Sequence, residues 1–194
     1  MVAENENEAY RRRVFRNEVE VEQLLLMRHP ISPEKAYGLT GLLLGALPPA
    51  AIFARLFGYG LGGGSLAINP AEGVIFFLCA IMNVVCCLMG YGMGSVVGRY
   101  APKLERNSWI RMLLLLPLLG AAWGAVTGLT GGFIFFGIGA LFGAAFGIPV
   151  GLFGFLMFAV VHRTLERGGM IDKRHFVPLA CGLAMIITVL ISRL

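Results

Sequence analysis

The sequence predicts an all-α integral membrane protein with five transmembrane helices. The third and fourth form a glycine-zipper antiparallel hairpin, and an amphipathic helix lies at the N-terminal, cytoplasmic end. Three observations carry this expectation. Apolar residues fill 57% of 194 positions, Gly adds 27 residues, and only 14% are charged. Soluble domains hold about 45–50% apolar residues with Gly included, and about 25% charged ones. Lys and Arg cluster before the first apolar run and in alternate connections, the other connections holding none, and glycines recur every fourth residue in two long rows. Disordered, collagenous and disulfide-stapled classes are excluded, and clustered basic residues between spans point to membrane topology rather than to nucleic acid.

Residues 1–36 form a cytoplasmic segment, and 37–194 a polytopic membrane domain. Tyr10, Val14, Val21, Leu24 and Leu25 share one helix face, while Glu8–Arg12 and Arg16–Glu20 are supporting i,i+4 pairs. Six glutamates among the first 30 residues stand where a secretion signal needs a basic leader and an apolar stretch, so no cleavable signal is expected. Residues 1–28 are a candidate docking segment for a cytoplasmic partner.

A span needs about 20 apolar residues to cross roughly 30 Å of hydrocarbon. The runs that meet or approach this are 37–57, 73–98, 109–128, 133–161 and 176–192. Residues 112–161 contain no Asp, Glu, Lys, Arg or His. That stretch is too long for one span, and it is divided at Thr127-Gly128-Leu129-Thr130-Gly131-Gly132. Unpaired backbone is not tolerated in lipid, so each run should be helical. Ser32-Pro33, Asn69-Pro70, Asn107-Ser108 and Asp172 supply N-cap candidates, and Gly168-Gly169 a C-cap for the fourth run. Pro48-Pro49, Pro117, Pro149 and Pro178 interrupt four spans as kinks.

Arg11 to Lys35, then Arg99 to Arg111, then Arg163 to Arg174 supply basic clusters before the first span and in the second and fourth connections. The connections at 58–71 and 129–132 hold no Lys or Arg. The alternation places the N-terminus in the cytoplasm and the C-terminus outside, with the plasma (inner) membrane as the expected location. Residues 58–71 form a Gly-rich outer loop or a short dip back into the membrane.

Gly120, Gly124, Gly128 and Gly132 form one row, and Gly139, Gly143, Gly147 and Gly151 another. Gly90, Gly94 and Gly98 form a third. Spacing by four keeps small residues on one helix face, where two backbones can touch. The two long rows are expected to meet each other or a second subunit. Asn83 is the one strongly polar side chain deep in a span and is expected to bond across helices. Arg55 and Glu72 flank the outer connection, as a headgroup-seeking side chain and a helix-capping one, or as an ion pair.

Catalytic patterns are absent. Gly63-Gly64-Ser65 faintly resembles a serine elbow, but His29, His162 and His175 belong to the opposite side of the membrane. Cys79, Cys86, Cys87 and Cys181 form no CxxC pair, and no cofactor is expected. His162 and His175 flank one loop and are the only candidate pair for a metal or haem. Ion-coupled transport needs intramembrane carboxylates, and the central spans have none. The reading is a non-enzymatic structural or assembly subunit that packs with itself or with a larger membrane complex among membrane lipids. Two alternatives stand beside it: a small channel or carrier passing an apolar or lipid-like solute along a glycine-lined groove, and a lipid-modifying enzyme.

Overall fold

The computed structural model describes residues 30–60, 70–105, 109–165 and 170–193. Among them, four helical segments are long and apolar enough to cross a membrane, within Pro33–Arg55, Glu72–Leu104, Trp109–Leu165 and Lys173–Ser192. The helices that contain them are α1 (Pro33–Gly60), α2 (Pro70–Glu105), α3 (Trp109–Leu165) and α4 (Lys173–Ser192). The result is an all-helical bundle consistent with a multi-pass membrane protein.

This corrects the five-helix expectation. The runs 109–128 and 133–161 are not separate helices on either side of a loop; they belong to one helical run of 57 residues. Glycine breaks helices readily in water, where a freed N–H finds solvent. An apolar setting offers no such partner, so Thr127 to Gly132 stay helical. At about 1.5 Å per residue the run would extend roughly 85 Å if straight. It instead folds back at a single 3-10 turn, Phe133–Phe135, which separates a first arm, Trp109–Gly132, from a second arm, Phe136–Leu165. The reversal depends on Phe136, whose φ of 62° is the only positive value at a non-glycine residue among those described.

The other departure is a pair of two-residue strands, β1 (Pro30–Ile31) and β2 (Ile171–Asp172), paired antiparallel. They tie the start of α1 to the start of α4, so these two helices run in the same direction. Both starts follow local chemistry. Pro33 opens α1 and the Ala36 N–H donates to the Ser32 carbonyl at 2.9 Å. The Asp172 carboxylate accepts from the Arg174 N–H at 3.0 Å and caps α4. The cap candidates at Asn69 and Asn107-Ser108, the C-cap at Gly168-Gly169, the loop at 61–69 and the amphipathic helix of residues 1–28 lie outside the described residues.

Charge separates the two ends of the bundle. At the first end, Arg99 Nε and Nη2 both donate to Glu34 Oε1, at 2.9 and 2.7 Å. There the Arg163 guanidinium also stacks 4.2 Å from the centre of the Trp109 ring. Lys35, Lys103, Arg111, Lys173 and Arg174 belong to the same helix ends. At the opposite end, Arg55 Nη1 donates to the Ser192 carbonyl, a cation placed against the negative end of the α4 dipole. Between the ends the outer surface is apolar: Phe76, Phe77, Leu88, Ile110, Ile138 and Leu141 are all exposed.

Backbone contact organises the interior. Cβ atoms added to Gly120, Gly124, Gly128 and Gly132 would collide with the carbonyls of Gly151, Gly147, Gly143 and Gly139 in turn, so the arms of α3 lie antiparallel with their main chains touching. The row on α2 meets α1 in the same manner: Gly90 abuts Gly41, Gly94 abuts the Tyr37 carbonyl, and Gly98 abuts Pro33 and Glu34.

Replacing Gly124 or Gly143 with Leu should therefore lower stability by at least the roughly 1–3 kcal/mol typical of overpacking, because backbone cannot move aside as a side chain can. Leu in place of the outward Phe77 should change it by less than about 1 kcal/mol. Thermal unfolding in detergent reads both, and equal tolerance at the two kinds of position would refute the backbone-contact account.

Candidate functional site

The first half of the bundle, beneath the basic end, is filled by aromatic rings. Tyr37 stacks on Phe155 at 5.8 Å between centroids and meets Phe158 edge-on at 4.8 Å. His162 is fully buried beside Tyr37 and Phe158, while Phe176 of α4 closes on Phe158 at 6.0 Å. These rings are carried on faces that the glycines leave free, since the helices already touch along their small sides.

Trp123 marks the upper limit of this filled half. Its indole N–H donates to the Gly90 carbonyl at 2.9 Å, and its ring lies 5.1 Å from Phe155. It also fills the space beside Gly41, Gly90 and Gly151. One side chain on the first arm of α3 thus joins the folded-back helix to the α1–α2 pair. A neutral interhelical bond of this kind contributes about 0.6 kcal/mol on average in membrane proteins, so the ring's volume contributes more than its N–H.

Above Trp123 the helices part around a half-open cleft. A cavity of about 480 Å³ opens between the distal half of α1, the middle of α2 and both arms of α3. Leu44, Gly45, Pro48, Pro49, Ile52 and Phe53 form one wall, and Met82 and Cys86 of α2 another. Gly124, Thr127, Gly128 and Gly132 face Gly139, Gly143, Gly147 and Val150, and Phe135, Phe142, Phe146 and Ile191 of α4 complete the lining with Trp123. The space exists because glycine has no side chain to fill it. Its volume falls within the roughly 300–1,000 Å³ of small-molecule sites. Among the described residues, no Asp, Glu, Lys, Arg or His lines it. Only three lining side chains carry a polar group: the Trp123 indole, Cys86, whose thiol donates to the Thr127 carbonyl at 3.9 Å, and Thr127.

Residues singled out in the sequence fall as follows. Both α3 glycine rows line the cavity in part, and their remaining members, Gly120 and Gly151, lie at the Trp123 level. Gly90, Gly94 and Gly98 serve the α1–α2 contact. Asn83 is half-buried, and its Oδ1 accepts from the Cys87 thiol one turn along the same helix at 3.9 Å. Arg55 reaches the end of α4 across the bundle, and Glu72 lies in the first turn of α2. His162 is buried and His175 is exposed on α4. No group of three His, Cys, Asp or Glu among the described residues is arranged to hold a metal. Gly38, Gly41 and Gly45 went unread in the sequence. Their spacing of three and then four was the available signal, since both intervals keep residues on one helix face.

Compared with known protein families, curated proteins and solved structures, the chain matches none.

Changing Trp123 to Phe should destabilise the fold by about 1–3 kcal/mol through the lost hydrogen bond and lost volume. Changing it to Ala should cost about 3–5 kcal/mol. Unfolding followed by circular dichroism measures both, and an unaffected W123A would remove Trp123 from its joining role.

Proposed function

We propose that this protein is a non-catalytic membrane protein that binds an apolar or lipid-like molecule in its glycine-lined cavity. The observation that carries this reading is the unequal filling of the interior. One half is packed with aromatic rings and the other holds about 480 Å³ of space bounded by apolar groups. The space is a half-open cleft, and a bound acyl chain or ring system would gain dispersion contacts along its apolar lining. Charged solutes are disfavoured, because an unpaired ion at mid-membrane costs at least about 2.5–3.5 kcal/mol.

The assembly-subunit reading stands second and has its own support. Gly92, Gly137 and Gly182 have open space where a Cβ would be, so helix faces with room for close approach remain on the outside. On either reading, we propose that the basic end faces the cytoplasm in a plasma membrane, with the start of α1 inside and the end of α4 outside. The charge difference between the two ends supports that orientation.

A photoactivatable diazirine alkane incorporated with the full chain into nanodiscs should label Met82, Cys86 or Phe146. Substituting Ile52 with Trp, which fills the cavity, should abolish that labelling and leave labelling of the outward Leu88 intact. Labelling confined to outward residues, together with a protein partner that co-purifies stoichiometrically, would favour the assembly reading.

Orientation has a separate test. A cysteine placed at Thr130 should react with an impermeant thiol reagent added outside intact cells, and one at Lys103 only after permeabilisation. The reverse pattern would invert the assignment.

A further inference from the structure

Thr127 departs from every other threonine in the protein. Thr40 and Thr188 bond their hydroxyls to the carbonyls of Ala36 and Ala184 at 2.9 and 2.6 Å, and Thr130 bonds to Val126 at 2.7 Å. Thr164 bonds to the Val161 carbonyl at 2.8 Å. These local bonds are the usual way a helical threonine satisfies its hydroxyl away from water. Thr127 is 4% exposed and lines the cavity, yet its Oγ1 has no hydrogen-bond partner among the described residues. A buried hydroxyl left unpaired is costly, and the cost is recovered when a partner arrives.

The opposite wall has a matching feature. Pro48 and Pro49 have no N–H, so the carbonyls of Leu44 and Gly45 lose the donors that a continuous helix would supply four residues on. Leu44 and Gly45 both line the cavity. One wall thus carries an unpaired hydroxyl, and the other carries carbonyls deprived of their usual donors. A ligand hydroxyl, which both donates and accepts, complements the two together. A carboxylate offers only acceptors and brings an uncompensated charge into a cavity without a cation.

We propose that the cavity selects a neutral lipid alcohol, a long apolar body carrying one hydroxyl, and that Thr127 is the residue that recognises the hydroxyl. A rotation of about 120° around the Thr127 Cα–Cβ bond carries the hydroxyl into the position the methyl held, so the group can turn toward the ligand without backbone movement. This inference rests on the cavity-binding reading and adds to it the chemical class of the ligand.

Competition in nanodiscs between the diazirine alkane and either 1-hexadecanol or n-hexadecane tests the proposal. For the unmodified protein the alcohol should displace the probe at roughly tenfold lower concentration than the alkane, the ratio expected of one well-made buried hydrogen bond. Thr127→Val keeps the shape and removes the hydroxyl. It should bring the two competitors to equal potency, leave alkane competition unchanged, and hold or raise the thermal midpoint. Thr127→Ser should keep the preference, which guards against misfolding as the cause of a loss. Equal potency in the unmodified protein, or a preference that survives in T127V, overturns the role of Thr127 while leaving the cavity as an apolar site. Failure of both competitors, with no cavity residue labelled, removes the binding reading and this inference with it.

Discussion

The architecture depends on main chain touching main chain. Where two helices meet through side chains, their axes are separated by 8–10 Å and the gap is filled by whatever those side chains are. Here the arms of α3, and α1 with α2, meet at glycines whose Cα atoms lie against the carbonyl of the opposite helix. Dispersion between backbones, together with weak Cα–H···O contacts, replaces the interdigitated side chains of a soluble core. With no hydrophobic effect to drive helices together in lipid, close approach of this kind is the main source of attraction left to them. Two tightly joined helix pairs result, Trp123 joins them, and α4 is attached through Phe176 and the Arg55 bond to Ser192.

Trp123 is the largest of those contacts. It occupies the junction between both pairs, and it divides the interior into a half closed by Tyr37, Phe155, Phe158 and Phe176 and a half that remains open. The division follows from where the bulky residues fall along the chain. Toward the basic end, the second arm of α3 carries Phe155, Phe158 and His162 on its inward side. Toward the reversal it presents Gly139, Gly143 and Gly147 there instead. The same glycines that draw the arms together also leave the adjoining cleft without side chains. Adhesion and vacancy are therefore two results of one sequence pattern.

Much of this could be read from the chain alone, and the exceptions have a common cause. The helix start at Lys173 was legible because the Asp172 carboxylate acts within one turn of its own position, and that at Pro33 because proline suits the first helical position. The grouping of most described basic residues at helix ends was legible because charge is excluded from lipid wherever it occurs. The boundary at 127–132 was misread because glycine and threonine mark turns only when water can satisfy the opened backbone. In an apolar setting the helix continues through Gly132 and reverses at the 3-10 turn Phe133–Phe135, where Phe136 takes a positive φ. Asn83 was read as reaching another helix, whereas the contact it makes with Cys87 is within its own turn. A glycine-lined groove was among the alternatives the sequence offered, but the extent of the cavity, the Trp123 bond and the isolated hydroxyl of Thr127 were not legible. Each requires knowing how far apart two helix pairs lie, which no local spacing records.

The glycine contacts also bear on how such a protein can change over time. In a core built from side chains, enlarging one residue can be offset by shrinking its neighbour, and lineages drift along these compensated paths. At Gly124 and Gly147 there is nothing across the interface left to shrink, because the facing residue already has no side chain. Pairs of this kind are held fixed together rather than exchanged, so they would leave no trace of correlated substitution between relatives. The contacts that bind the bundle most closely would be the least visible to any method that infers proximity from paired change.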